Sequence, residues 1–140
     1  MAAYSTDNLP ARSADFDRLV ALTHLIYGLH TFAVLTGVVG SATIIGSFVA
    51  SVPSIVAVVL NYLKRGAVRG TWLESHFRWQ IRTFWFALLW ILTALLLAFT
   101  IIGIPLALAL AGGASLWVVY RVVRGWWNLA HRGMMPMPAD

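Results

Sequence analysis

The chain has no cysteine and only five acidic residues in its 140 positions. Without cysteine there are no disulfide bonds, no thiolate metal ligands and no cysteine nucleophile. Glu74 is the only acidic residue between Arg18 and Asp140, so paired carboxylates for general acid–base chemistry are missing as well. The sequence also contains no phosphate-binding glycine loop, no metal-ligand spacing and no serine–histidine–aspartate candidate. We therefore predict a protein that is not an enzyme and that holds neither a metal nor a cofactor.

Charge of either sign is missing from two long stretches, residues 19–63 and residues 83–120. Hydrophobic residues make up 60% of the chain, whereas charged residues make up only 11%. A soluble domain needs a charged surface, and uncharged apolar runs of this length are typical of segments inside a bilayer. The sequence therefore predicts an integral membrane protein.

Each uncharged stretch is too long for a single crossing of the hydrocarbon core. As one helix the first would measure about 68 Å and the second about 57 Å, against a core of about 30 Å. Tilting does not absorb a mismatch of that size, so each stretch is expected to turn back. We predict the first turn at Thr36–Ser41, where two glycines permit positive φ angles. We predict the second at Ile102–Pro105, because the residue before a proline is pushed away from helical angles.

These turns predict an all-α fold, a polytopic integral membrane protein with four transmembrane helices arranged as two hairpins. Residues 1–15 are expected to form a flexible polar N-terminal tail, and residues 133–140 a C-terminal tail. The membrane domain between them covers residues 16–132. Its helices are predicted at about residues 16–36, 42–63, 72–102 and 105–127.

The third helix is predicted to begin at Trp72, behind a capping box of Thr71 and Glu74. In that motif the threonine hydroxyl accepts the N–H three residues on, and the glutamate reaches back to the threonine N–H. Glu74 also precedes Arg78 by four residues, the favourable order for an ion pair on a helix.

Lysine and arginine are concentrated in a middle segment, residues 64–82, and in a C-terminal flank, residues 121–132. The positive-inside rule places both segments in the cytoplasm, and four crossings would place both termini there too. An alternative stays open for residues 19–63, namely one crossing and a re-entrant segment, with the N-terminus outside. The net charge of +5 is attributed to this topology and to anionic lipid, so no nucleic-acid partner is expected.

Two histidines in the first predicted helix are the only candidates for a cofactor. His24 and His30 are six residues apart and lie on different faces, whereas a shared metal on one helix needs a spacing of four. Hydrogen bonding between helices is the favoured role for both. A role as haem ligand or proton relay stays open as the alternative.

Small residues recur every four positions in the second and fourth predicted helices, and such faces let helices approach closely in lipid. The predicted packing faces contain Ala42, Gly46, Ala50 and Ser54 in the second helix and Ala107, Ala111 and Ser115 in the fourth. Two interpretations stay open: packing within the monomer, and a face for a second copy or another membrane subunit.

Arginine and tryptophan occur together at the predicted cytoplasmic interface. Tryptophan rings anchor helices at headgroup level, and the arginine guanidinium offers forked donors to phosphate. The residues predicted to contact anionic lipid headgroups are Arg78, Arg82, Arg121, Arg124, Trp126 and Trp127.

Two short motifs resemble a known group of proteins. Arg78-Trp79-Gln80 stands where that group has Asn-aromatic-Gln, so Arg78 departs from the pattern, and the ending from Asn128 through Gly133 to Pro136 is similar as well. Over about residues 20–136 the chain resembles small bacterial inner-membrane proteins of unknown function. The core of those proteins is similar to the four-helix membrane component of the chloroplast inner-envelope Tic translocon. The resemblance implies a four-helix bundle in a bacterial cytoplasmic membrane and carries no activity.

Three classes of function follow from these observations. The favoured one is a non-catalytic subunit or scaffold of a membrane protein complex, bound to other membrane subunits or to copies of itself. The second is a transporter or protein-translocation component, and the third is a cofactor-binding membrane subunit that uses His24 and His30. A pump is disfavoured because no carboxylate or arginine is expected at mid-membrane depth.

Overall fold

The computed structural model describes residues 9–40 and 44–137, with the side chains of residues 12–37 and 51–137. Four helices form the fold: α1 (Leu9–Gly40), α2 (Ile44–Lys64), α3 (Leu73–Ala98) and α4 (Gly103–Ala130). No strand occurs within the described ranges. The predicted all-α class is therefore confirmed.

Three segments are long and apolar enough to cross a membrane, namely Arg12–Gly37, Leu73–Ala98 and Gly103–Ala130. The apolar helical segment found in α2 is shorter, Ser51–Lys64. Large apolar side chains also cover the outside of the bundle, and Ile101 and Ile102 are about nine-tenths exposed, at 90% and 91%. An apolar surface of this extent suits lipid and would promote association in water. The structure thus supports a helical membrane protein with three candidate spans.

The helices associate mainly in two pairs. α1 packs chiefly against α2 and α3 chiefly against α4, while α1 also contacts α4 and α2 contacts α3. The buried core lies where the middle of α1 meets the end of α2, the start of α3 and the end of α4. Its members are Ile26, Tyr27, Ala57, Val68, Leu73, Phe77, Val122 and Leu129.

The far half of the α3–α4 pair lies outside this core. Between residues 84 and 120 only Ala94, Gly103 and Ala107 are buried. Leucine and aromatic side chains there face outward on several sides of both helices. The bundle therefore has a packed end, with the basic segments, and an open end around the α3–α4 turn.

The first helix is longer than the sequence predicts. α1 begins at Leu9, within the segment 1–15 expected as a tail, and continues through Gly40. The predicted turn at Thr36–Ser41 is thus wrong for residues 36–40, and Ser41 lies outside the described residues. Glycine permits a turn but does not impose one, and its helical penalty of about 1 kcal/mol is small beside packing within an apolar run.

The turn between α3 and α4 falls close to the predicted break at residues 102–105. α3 ends at Ala98, and Pro105 lies in the first turn of α4, where its missing N–H leaves no bond unmade. Thr100 closes the turn, because its hydroxyl accepts the Gly103 N–H at 3.0 Å and donates to the Leu97 carbonyl at 3.0 Å. A Cβ atom on Gly103 would lie only 2.8 Å from the Leu97 carbonyl carbon.

The predicted capping box does not form, although α3 begins at Leu73, one residue after the predicted start at Trp72. The Thr71 hydroxyl donates to the Val68 carbonyl at 2.7 Å, and the Glu74 carboxylate accepts the Gly70 N–H at 2.9 Å. Gly70 adopts a φ of +73°, which presents its amide to Glu74. The predicted ion pair is confirmed, with 3.0 Å between Arg78 Nη2 and Glu74 Oε1.

The segment after α4 returns to the bundle. α4 ends at Ala130, and the N–H of Gly133 bonds the Asn128 carbonyl at 2.8 Å while that of Arg132 bonds the Leu129 carbonyl at 3.0 Å. With Arg132 at a φ of 53°, these bonds form a Schellman cap. The chain then runs back to α3, where the Met135 side chain is buried and its N–H donates to the Ser75 hydroxyl at 3.0 Å.

Candidate functional site

Polar side chains are concentrated at the packed end of the bundle. The buried ones are Thr23, Tyr27, His30, Asn61, Ser75, His76, Gln80 and Thr83. In a membrane protein such groups either join helices or mark a functional site. Their partners distinguish the two roles.

A hydrogen-bonded chain joins α1, α3 and the C-terminal segment through His76. The Nε2 atom of His76 lies 2.8 Å from the Gly133 carbonyl oxygen, and its Nδ1 lies 3.1 Å from the Tyr27 hydroxyl. A carbonyl only accepts, so Nε2 carries the proton. In the neutral ring Nδ1 is then the acceptor, and the Tyr27 hydroxyl donates to it. This chain fixes the packed end of the bundle and leaves Tyr27 and His76 with defined partners.

Gly125 makes room for the Tyr27 ring. A Cβ atom on Gly125 would lie 2.7 Å from Cε1 and 2.8 Å from Cζ of Tyr27, well inside ordinary contact distance. Both residues are buried, and Tyr27 is 1% exposed. The close approach of α1 and α4 therefore depends on a residue without a side chain at position 125.

Arg121 is held between two tryptophans at the interface of α3 and α4. Its Cζ lies 3.5 Å from the centre of the Trp79 ring and 5.0 Å from that of Trp117. Its Nε donates to the Thr83 hydroxyl at 2.7 Å, and the Trp79 indole N–H donates to the Arg121 carbonyl at 3.0 Å. The cation–π contact and the bond to Thr83 orient the guanidinium, while the Trp79 indole bonds the backbone of the same residue.

The six residues predicted to contact lipid headgroups divide into separate groups. Arg124 joins Arg121 at the Trp79 ring, with its Cζ 5.9 Å from the ring centre. Arg82 follows Trp79 by three residues and directly precedes Thr83, so all three lie on the same side of α3. Arg78 is instead paired with Glu74.

The two remaining tryptophans of that group contact histidines. The Trp126 indole N–H donates to Nδ1 of His24 at 3.0 Å, and the Trp127 ring lies 4.9 Å from that of His131. Trp127 is largely exposed at the rim of the bundle. Trp126 and Trp127 thus contact histidines, separately from the contacts that Arg121 and Arg124 make with the Trp79 ring.

His24 and His30 each join α1 to a different helix. His24 accepts the bond from Trp126 on α4, and Nδ1 of His30 lies 3.3 Å from the Ser54 hydroxyl on α2. These contacts fit the predicted role in helix–helix hydrogen bonding. No group of three or more potential metal-binding side chains occurs among the described residues.

A small cavity of about 10 Å³ lies beside His30, lined by Tyr27, His30, Trp79, Gln80, Thr83, Arg121 and Val122. Within the described part of the chain, His30 Nε2 and both amide atoms of Gln80 and of Asn61 are buried without a hydrogen-bond partner. The cavity has room for about one water molecule, which is the usual partner of such groups. It is far smaller than pockets that hold cofactors.

The residues of the predicted packing faces differ in burial. Ala107 is buried and Ser54 is half-buried against His30, whereas Ala111 and Ser115 are exposed on α4. Ala42 lies outside the described residues. Gly46 and Ala50 belong to α2, but the burial of neither residue is described.

Comparison with known proteins finds no family model, no curated protein and no solved structure that matches the chain. The resemblance to bacterial relatives of the Tic component therefore stays a prediction.

Proposed function

We propose that the protein is a non-catalytic inner-membrane protein that acts as a subunit or scaffold of a membrane protein complex. Its docking surface is the exposed face of α4 at the open end of the bundle, here named the α4 outer face. This face consists of Leu108, Ala111, Gly112, Ser115, Leu116 and Val119. The single observation that supports the proposal is that all six residues are exposed and share one side of the helix.

The chemistry of this face suits a helical partner. Positions three and four apart lie on one side of a helix, so the small residues form a groove between Leu108 and Leu116. A Cβ atom on Gly112 would meet nothing within 4 Å, so the helix backbone is open to close approach. In lipid, association depends on such close packing because the hydrophobic effect offers little preference between helix and lipid.

The proposal includes four crossings of a bacterial cytoplasmic membrane, with both termini in the cytoplasm. α2 has 21 residues, which gives it a length of about 32 Å, enough for a core of about 30 Å. Lys64 is its last residue, and Arg65 and Arg69 follow it, as expected for a cytoplasmic connection. A reporter fused after Gly40 should read periplasmic and one after Gly70 cytoplasmic. A cytoplasmic signal after Gly40 would show a re-entrant segment instead.

Cysteine crosslinking in native membranes tests the docking surface, since the chain has no cysteine of its own. We expect Ser115→Cys to crosslink with high yield to one membrane protein or to a second copy. Gly113→Cys is the matched control, because Gly113 is equally exposed but lies outside the α4 outer face. Equal yields at the two positions, or recovery of the uncrosslinked monomer alone, would refute the proposal.

A further inference from the structure

Three arginines lie together at the packed end without a carboxylate to neutralise them. In the part of the chain that the structure describes, the ion pairs are Arg18–Asp15 and Arg78–Glu74. Arg82, Arg121 and Arg124 take part in neither pair. Mutual repulsion among three cations is unfavourable, so the cluster favours an anion.

Contacts with neighbouring side chains hold one arginine of the cluster in place. The Arg121 guanidinium stacks on the Trp79 ring, with its Cζ 3.5 Å from the ring centre, and its Nε donates to the Thr83 hydroxyl at 2.7 Å. A guanidinium has five N–H donors, and acceptors among the described residues occupy only the Nε–H and, at 3.4 Å, one Nη2–H. The remaining donors are available to a phosphate oxygen, and orienting them in advance reduces the entropy lost on binding.

The depth of the cluster matches the headgroup layer. Arg121 lies 18 residues beyond Gly103, the start of α4, which corresponds to about 27 Å along the helix. With Gly103 at the opposite face of a core about 30 Å thick, Arg121 reaches the inner edge of the hydrocarbon. Arg124 lies one turn further out, and Arg82 and Arg124 are exposed.

We propose that Arg82, Arg121 and Arg124 bind the phosphate group of an anionic phospholipid in the cytoplasmic leaflet, with Trp79 as the platform that orients Arg121. The shared chemistry is that of a phosphate anion, and a lipid is favoured over free phosphate by the neighbouring apolar surface. Phe86 follows Arg82 by one helical turn, is 44% exposed, and contacts the ring of Trp117 at 6.2 Å between ring centres. An acyl chain would lie against Phe86, whereas free phosphate would gain nothing there.

Native mass spectrometry of the full-length protein in a nonionic detergent tests this site. We expect phosphatidylglycerol to bind more tightly than phosphatidylcholine. Each of the single changes Arg82→Gln, Arg121→Gln and Arg124→Gln should lower the affinity for phosphatidylglycerol about fivefold. Arg78→Gln is the matched control, since it removes the same charge from an arginine that already has a carboxylate partner. Its effect should be less than twofold.

Several outcomes would refute the proposed phospholipid site. Equal affinity for the two lipids, or an equal loss with Arg78→Gln, would show that binding is not localised at the cluster. Displacement of phosphatidylglycerol by millimolar inorganic phosphate would identify a free anion as the occupant and reject the lipid. If Arg121→Gln fails to fold, the exposed pair Arg82→Gln and Arg124→Gln gives the same test. The site is independent of the α4 outer face, so Gly112→Leu should leave lipid binding unchanged.

Discussion

Replacing Gly125 by alanine should destabilise the bundle through one identifiable clash. The new Cβ would lie 2.7 Å and 2.8 Å from two carbons of the Tyr27 ring, which is buried beside a cavity of only about 10 Å³. Overpacking of this kind costs about 1–3 kcal/mol. Displacing the ring also breaks the bond between the Tyr27 hydroxyl and His76, a further loss of about 1 kcal/mol.

The opposing effect is the higher helix propensity of alanine, which stabilises by about 1 kcal/mol. Gly113→Ala isolates that contribution, because a Cβ atom on Gly113 meets nothing within 4 Å in the same helix. We therefore expect Gly113→Ala to be neutral or stabilising. Gly125→Ala should be about 2–4 kcal/mol less stable than Gly113→Ala.

The assay is reversible unfolding in mixed micelles by titration with sodium dodecyl sulfate, followed by circular dichroism. Repeating Gly125→Ala in a Tyr27→Leu background completes a double-mutant cycle. Because leucine lacks the ring, Gly125→Ala should then change stability as Gly113→Ala does. If the two alanine variants are equally stable in the wild-type background, the close approach of α1 and α4 at Tyr27 is wrong.

Three further perturbations test other contacts. Gly103→Ala should lower the free energy of unfolding by about 1–3 kcal/mol, because the clashing Leu97 carbonyl is backbone and does not rotate away; an unchanged unfolding midpoint would contradict this turn. His76→Phe leaves the Tyr27 hydroxyl and the Gly133 carbonyl without partners, so trypsin should cleave after Arg132 faster than in the wild type, and an equal rate would contradict the docked C-terminal segment. Replacing His24 and His30 together by phenylalanine should leave the visible absorption spectrum of the purified protein unchanged, whereas loss of a haem band would support the cofactor-binding alternative.

The features predicted from sequence are those set by neighbours along the chain. Two uncharged stretches predict apolar helices because lipid demands apolar side chains over a fixed length. Pro105 indicates the start of α4 because proline is tolerated in the first turn of a helix and not in its interior, and Glu74 meets Arg78 because both lie on one helix. The capping box was also a local inference, yet it is wrong because Gly70, in the left-handed region, offers Glu74 another amide.

The contacts at the packed end were not predicted because their partners are distant in sequence. Tyr27 and His76 are 49 residues apart, and the Trp79 indole bonds a carbonyl 42 residues away. Neither pair leaves a periodic signal. Gln80 does fall within the short motif Arg78-Trp79-Gln80, and an uncharged polar residue in an apolar helix is the available clue to both His76 and Gln80.

The orientation of the small-residue faces could not be predicted from the sequence either. Spacing of four identifies a face of a helix but does not say where that face points. Ala107 is buried, whereas Ala111, one turn along the same helix, is exposed. Which residues face a partner is thus decided by tertiary packing.

The size of the complex released from native membranes in mild detergent tests the proposed function most directly. The wild-type protein should be recovered in a complex larger than its 15.4 kDa monomer, and Gly112→Leu should release the monomer because the bulky side chain fills the α4 outer face. Gly113→Leu adds the same side chain outside that face and should leave the complex intact. A wild-type protein recovered only as a monomer, or complexes lost equally in both variants, would contradict the account.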